Sequence, residues 1–178
     1  FFPEGHCFHI ISLPSPCRRW RVKHPVGKIC RIRGEPCLRE RNVGQQREFI
    51  PLNIAVMTVS DTRTPENDTS GDTLEALATE AGHQLHTRRI VKDDIYQMRA
   101  VVSGWIVDPD VHVVITTGGT GLTDRDSTPE ALLPLFDRVI EGFGELFRQL
   151  SWEEVGSSTV QSRCCAGFAN RTLVFCLP

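Results

Sequence analysis

A chain of 178 residues, 40% hydrophobic and 24% charged, suits one folded domain with room for an extension, and these values exclude wholesale disorder. No stretch reaches the ~18 to 20 consecutive apolar residues of a membrane span. The net charge of −2 hides two opposed parts: residues 1–48 hold ten Lys/Arg against four Asp/Glu, whereas residues 49–178 hold ten against eighteen. A body with that acidic surplus has little to neutralise a phosphate backbone, which argues against nucleic-acid binding.

The first 48 residues carry four of the seven cysteines (Cys7, Cys17, Cys30 and Cys37) and five of the eleven prolines. No run of period 2 or 3.6 crosses them. A disulfide-rich secreted module lacks a leading apolar region here, and Cys30-x6-Cys37 with His6-Cys7-x-His9 matches zinc spacing poorly. An Arg-rich, acid-poor transit peptide is a third reading, with too few serines. The favoured expectation for residues 1–48 is a basic, Cys/Pro-rich, poorly ordered extension, with the natural start of the chain near Phe49. Cys164, Cys165 and Cys176 lie in apolar surroundings and read as buried thiols of a cytoplasmic protein.

From Phe49 the elements alternate. Leu52–Ser60 is a near-continuous apolar run, as in a strand buried on both faces of a parallel sheet. A polar loop from Asp61 to Asp68 leads to a helix carrying Leu74, Leu77, Ala78 and Ala81 on one stripe. Thr69 or Ser70 is placed to cap it and Gly82 to end it. Gln84–Val91 reads as a more polar strand nearer an edge. Asp93 or Asp94 opens a second helix with Ile95, Met98, Val102 and Trp105/Ile106 on one stripe, ended by Asp108-Pro109. Val111–Thr117 is a third strand. This order predicts right-handed crossovers: a doubly wound, mostly parallel α/β sheet with helices on both faces.

The most informative segment follows, Thr116-Thr-Gly-Gly-Thr-Gly-Leu-Thr-Asp-Arg-Asp-Ser-Thr-Pro-Glu130. Gly118, Gly119 and Gly121 sit at the C-terminal end of a central strand, where open α/β sheets bind ligands. Glycines there let the backbone take φ > 0 and turn bare N–H groups toward an anion. The pattern is neither a dinucleotide turn nor a P-loop, since no Lys follows. Asp124 and Asp126, just past the glycines, are candidate oxygen ligands for Mg²⁺. The next helix opens on Thr128-Pro129 or on a Ser127-x-x-Glu130 capping box. The bland alternative is a tight strand-to-helix turn without a ligand.

Phe143, Leu146, Phe147 and Leu150 form a helical stripe expected to be core, and Arg171–Leu177 reads as a last buried strand. The chain stops one residue later at Pro178, so a C-terminally truncated domain is expected.

Six segments together resemble the MoaB/Mog family of molybdenum cofactor biosynthesis, with its MoaB branch nearest. They are Thr58–Asp61, Asp68–Gly71, Ile90–Asp94, Thr117–Thr123, Thr128–Leu132 and Glu141–Glu145, in family order and spacing. The resemblance covers about residues 48–178 and implies a molybdopterin-binding α/β domain over 49–178 that assembles as a trimer or hexamer. It implies Mg-ATP-dependent adenylylation of the molybdopterin phosphate, with molybdopterin and ATP as ligands and Mg²⁺ as the metal. It further implies that Thr117, Gly118, Gly119, Thr120 and Gly121 form the phosphate-side loop. Asp126 and Asp93 fall on the family's two acidic positions, as metal ligands in adenylyl transfer. Ser60-Asp61 and Ser70-Gly71 match two loops lining the same pocket. No membrane partner is expected, and other cofactor-assembly proteins are candidate partners.

Joining two polyanions is opposed by charge repulsion, so such catalysis rests on positioning and on Mg²⁺ spread over phosphate oxygens. Some MoaB-type proteins bind pterin without adenylylating it. A non-catalytic molybdopterin carrier or scaffold is therefore the alternative function.

Overall fold

The computed structural model describes residues 48–178, together with the backbone of a short antiparallel pair, β1 (Arg31–Ile32) and β2 (Glu35–Pro36). The chain divides into two units, Phe1–Arg47 and Glu48–Pro178. The expectation of a poorly ordered extension concerns residues that lie almost wholly outside the described ones.

The larger unit is built on one six-stranded sheet of order β4-β3-β5-β8-β7-β6. Its first strand, β3 (Asn53–Val59), is buried at six of seven positions, as its near-continuous apolar sequence requires of a strand covered on both faces. It pairs in parallel with β4 (Gln84–Val91) on one side and with β5 (Val113–Thr117) on the other. β4 carries the polar residues of an edge strand, with only Val91 buried. β8 (Thr172–Leu177) continues the parallel set beside β5. Each expected strand thus lies within two residues of its predicted bounds.

The far side of the sheet was not anticipated. β7 (Cys165–Ala169) runs antiparallel to β8, and β6 (Arg138–Val139) antiparallel to β7, so the sheet is mixed. The chain reverses at Asn170-Arg171, between the paired Ala169 and Thr172. Asn170 takes φ 55°, a left-handed conformation that such tight hairpins use and Asn tolerates.

Helices cover both faces. On one face α2 (Ile95–Val107) and α3 (Thr128–Leu132) bury Met98, Val102, Trp105 and Leu132 against Ala55, Met57, Val114 and Val174. On the other, α1 (Thr69–Glu80) sets Ala78 and Leu74 on Ile54, Val56 and Val113. The same face carries α4 (Gly142–Val155), whose Phe143 ring lies 5.3 Å from Phe175. Met57, Met98 and Leu132 are fully enclosed, so shortening any of them to Ala costs about 2–5 kcal/mol. The expected stripe of α4 holds at Phe143, Leu146 and Phe147 but not at Leu150, which is 58% exposed.

The helix starts correct several expectations. Asp68, not Thr69 or Ser70, caps α1, its Oδ1 accepting from the Gly71 N–H at 3.1 Å. Asp94 caps α2 through Gln97 N–H, leaving Asp93 for another contact. Ser127 stands at the cap position of α3 without a side-chain cap bond, and Pro129 lies in its first turn. No capping box forms there, because Glu130 turns to Arg163 instead. Among the described residues, no helix is long and apolar enough to cross a membrane.

Candidate functional site

The four parallel strands β4, β3, β5 and β8 end on one rim. From β3 the chain leaves by α1 to β4, then returns by α2 over the opposite face to β5, on β3's other side. The order therefore reverses between β3 and β5, and a crevice opens there beyond their carboxyl ends. Two loops flank it, 60–68 after β3 and 118–127 after β5.

The second loop is the glycine turn. Gly118 (φ 98°) and Gly119 (φ 64°) adopt backbone that side chains disfavour. A Cβ on Gly118 would overlap the Val59 carbonyl, and one on Gly119 would lie 2.9 Å from Asp93 Oδ2. One on Gly121 would lie 2.7 Å from Asp126 Oδ2. The turn is anchored by Gly118 N–H to the Leu177 carbonyl (3.1 Å) and by buried Thr128, whose N–H and hydroxyl donate to Gly119 O and Gly118 O, each at 2.9 Å. Thr117 donates its hydroxyl to the Pro178 carbonyl at 2.8 Å, and Thr120 is 3% exposed. Among the described residues, the N–H groups of Gly119, Thr120 and Leu122 donate to no protein acceptor.

Asp93 and Asp126 meet at this turn. Asp93 Oδ1 accepts from the Ser127 hydroxyl at 2.6 Å and from the Ser127 N–H at 3.2 Å. Asp126, one residue earlier, accepts on Oδ2 from the Thr123 hydroxyl (2.6 Å) and N–H (3.0 Å). Those bonds from Thr123, with the nearby Gly121 N–H and Arg163, outweigh burial and hold the Asp126 carboxyl below the ordinary carboxylate range. Each carboxylate thus spends one oxygen on the protein. Asp93 Oδ2 and Asp126 Oδ1 have no hydrogen-bond partner among the described residues. Two hard oxygens beside bare N–H groups suit a hard divalent cation, which takes one or two carboxylates and fills its shell with phosphate and water. Among the described residues, no group of three or more His, Cys, Asp or Glu could hold a metal by itself.

The other expected residues fall differently. Ser60 directly follows β3, its N–H on the Val91 carbonyl and its Oγ accepting from Thr62 and Arg63 N–H. Asp61 reaches the glycine loop through an ion pair with exposed Arg125 at 3.6 Å. Asp124 is exposed. Ser70 is exposed on the first turn of α1, whereas Gly71 is buried against Asp68 and the Arg88 guanidinium, where a Cβ would overlap both. The requirement for glycine at 71 therefore has a packing cause. Two shallow depressions, one along α4 and one on the outer side of α1, lie away from the rim.

Arg163 and Ser127 escaped the sequence reading. Arg163 Nε donates to Gly121 O (2.7 Å), its Nη2 to Asp126 O (2.6 Å) and its Nη1 to the Glu130 carboxylate. Nothing local in Ser162-Arg-Cys-Cys165 announces this, because the partners lie 33 to 42 residues earlier. Ser127 was readable only as a helix cap.

Comparison with known proteins places this architecture. Residues 55–178 match the family described as "Probable molybdopterin binding domain". Molybdenum cofactor biosynthesis protein B of Escherichia coli (strain K12) is 60% identical over 131 residues, 74% of this chain and 77% of that protein. The protein of the same name from Bacillus cereus is 48% identical over 124 residues, covering 69% and 73%. Among solved structures, a Molybdenum cofactor biosynthesis protein B superposes with TM-score 0.71 at 44% identity, over 74% of this chain and 83% of that one. The tungsten cofactor synthesizing protein MoaB from Pyrococcus furiosus follows at TM-score 0.65 and 36% identity, over 72% and 82%. A six-stranded sheet wound around a glycine turn, matched along most of its length, leaves one conclusion: the chain belongs to the MoaB/Mog family of molybdenum cofactor biosynthesis proteins.

Proposed function

We propose that, within molybdenum cofactor biosynthesis, this domain binds molybdopterin at the rim between β3 and β5 and adenylylates its phosphate from Mg-ATP. One observation carries the reading: Asp93 bonds to Ser127, the neighbour of Asp126, beside a turn whose Gly119, Thr120 and Leu122 N–H groups face no acceptor among the described residues. Family membership, and the domain description matched by residues 55–178, support the pterin as ligand.

In this reading Gly119, Thr120 and Leu122 present N–H groups to phosphate oxygens, at a turn with no side chain in the way. Asp93 Oδ2 and Asp126 Oδ1 hold Mg²⁺, which when bound neutralises charge on the two polyanions as they approach. Ser127 and Thr123 keep the two carboxylates aimed, and the Thr123 bonds help to hold Asp126 ionised. Arg125, at the loop's tip and paired to Asp61, is available to anionic substrate. We further propose that the domain works as a homo-oligomer, a trimer or hexamer, supported by the apolar Leu150, Trp152, Val155 and Val160, each more than half exposed. Sedimentation at micromolar concentration reads that assembly directly.

Calorimetry with molybdopterin and with Mg-ATP, followed by a pyrophosphate-release assay, tests the function. Adenylylation requires both ligands to bind and pyrophosphate to appear only with pterin present. Pterin binding without turnover selects the carrier function instead.

A further inference from the structure

We infer that Arg163 is a positioning residue for the phosphate-bearing end of the ligand, acting by holding the carbonyls of the glycine loop so that the loop's N–H groups face the rim. The inference rests on the reading of that rim as a phosphate site and adds the device that keeps it open.

Arg163 lies two residues before the β7 hairpin strand, and its side chain is 29% exposed. It engages the loop at both ends. Its main-chain N–H donates to Thr120 O at 3.2 Å, its Nε to Gly121 O at 2.7 Å and its Nη2 to Asp126 O at 2.6 Å. The third arm of the fork pairs with Glu130 on α3. In a trans peptide the C=O of one residue and the N–H of the next point in opposite directions. Drawing the carbonyls of Thr120, Gly121 and Asp126 toward Arg163 therefore turns the N–H groups of Gly121, Leu122 and Ser127 away from it. One of these outcomes is visible in the structure, since Ser127 N–H reaches Asp93 Oδ1 at 3.2 Å. Leu122 N–H is left without a protein acceptor among the described residues.

The geometry needs a fork rather than a charge. A guanidinium presents donors in a fixed plane and can serve two carbonyls and a carboxylate at once, whereas an ammonium is a point charge on a flexible stem. Among the described residues, no other cationic side chain donates to a carbonyl of the loop 118–127. Among the described residues, Arg163 bonds the loop through its carbonyls alone and pairs with Glu130 on α3. It holds the Leu122 side of the anion cradle from behind, while Thr128 holds the Gly118 and Gly119 carbonyls.

The test is an amide NMR titration of the whole chain with Mg-pyrophosphate, run beside thermal unfolding, for wild type, Arg163→Lys, Arg163→Gln and Glu130→Gln. Wild type is expected to shift the amides of Gly119 to Leu122. Arg163→Lys, which keeps the charge, is expected to bind at least tenfold more weakly while still unfolding cooperatively; Arg163→Gln is expected to lose the same shifts. Glu130→Gln takes the charge from one arm, keeps an acceptor there and spares the carbonyl contacts, so its affinity is expected within about twofold. Folded Arg163 variants that bind as wild type does, or that weaken only in proportion to lost folded population, overturn the inference and leave the phosphate reading standing. A wild type whose loop amides ignore both Mg-pyrophosphate and Mg-ATP overturns that reading and, with it, the role given to Arg163.

Discussion

Two acidic clusters flank the crevice, and they treat their carboxylates in opposite ways. Asp68, on the β3 side, is fully buried and saturated: Thr58 hydroxyl, Gly71 N–H, and Arg88 Nε and Nη2 all donate to it, at 2.6–3.2 Å. Arg88 turns its other amine to Asp72 and Glu75. Burial opposes the charge on Asp68, yet the Arg88, Thr58 and Gly71 bonds outweigh it and hold the carboxyl below its ordinary range. Arg88 is correspondingly held protonated more firmly than usual. On the β5 side, Asp93 and Asp126 are half-buried, and among the described residues each keeps one oxygen without a hydrogen bond. A carboxylate satisfied on both oxygens holds a fold together; one left half-satisfied at a strand-end rim is available to a ligand. Burial and bond count separate the two, whereas residue type does not.

The largest expected effect breaks the first cluster. Asp68→Ala strands the Arg88 guanidinium without its buried partner and removes the α1 cap, at a cost of about 3–5 kcal/mol in stability. Urea unfolding measures this, and a loss under about 1 kcal/mol would erase the contrast between the two clusters.

Asp93→Asn and Asp126→Asn make the reverse test. Each keeps an acceptor for Ser127 or Thr123, so stability is expected to change by under about 1 kcal/mol. Adenylyl transfer is expected to fall at least a hundredfold, about 3 kcal/mol of transition-state stabilisation. Pterin affinity should move little. Activity surviving in both variants returns these acids to plain loop residues and favours the carrier.

Gly119→Ala sits between the clusters in size. Its φ of 64° and the 2.9 Å approach to Asp93 Oδ2 predict a loss of about 1–2 kcal/mol, together with weaker Mg-ATP binding. Unchanged binding in a folded variant would show that the carboxylate does not need the space.

Acid sharpens the comparison further. A carboxyl with a depressed folded pKa contributes stability that is complete above its ordinary value of 3.8 and is lost as pH falls through the folded value. Wild type should therefore lose stability steeply below about pH 4, and Asp68→Asn should lose less over the same interval. Parallel curves would assign the acid sensitivity elsewhere. Smallest of all, Arg125→Ala breaks an exposed pair with Asp61 and should change stability by under about 0.5 kcal/mol. A clear fall in Mg-ATP affinity in the same variant would mark Arg125 as a ligand contact.

Much of the domain was legible from local pattern. The apolar run of β3, the stripe of α2 and the glycines after β5 each carry their structure within a few residues, because burial on both faces, helical period and positive φ are local demands. The β7 hairpin strand was missed because Cys165-Ala-Gly-Phe-Ala169 is short and rich in small residues, and its strand character comes from pairing with β8. The site divides along the same line. The glycine turn and the two acids could be picked out one by one, but not their meeting through Ser127, nor the true cap of α1.

The sequence by itself thus determined the alternation of strand and helix, the place of the glycine turn at a strand's end and the family to which the chain belongs. Tertiary structure alone decided which carboxylates are saturated and which keep a free oxygen, since that turns on partners 20 residues away for Asp68 and 34 for Asp93. It also decided that Arg163, 42 residues beyond Gly121, holds the loop's carbonyls. Hydrogen bonds are short-ranged in space but indifferent to distance along the chain, so only the folded sheet brings such partners together.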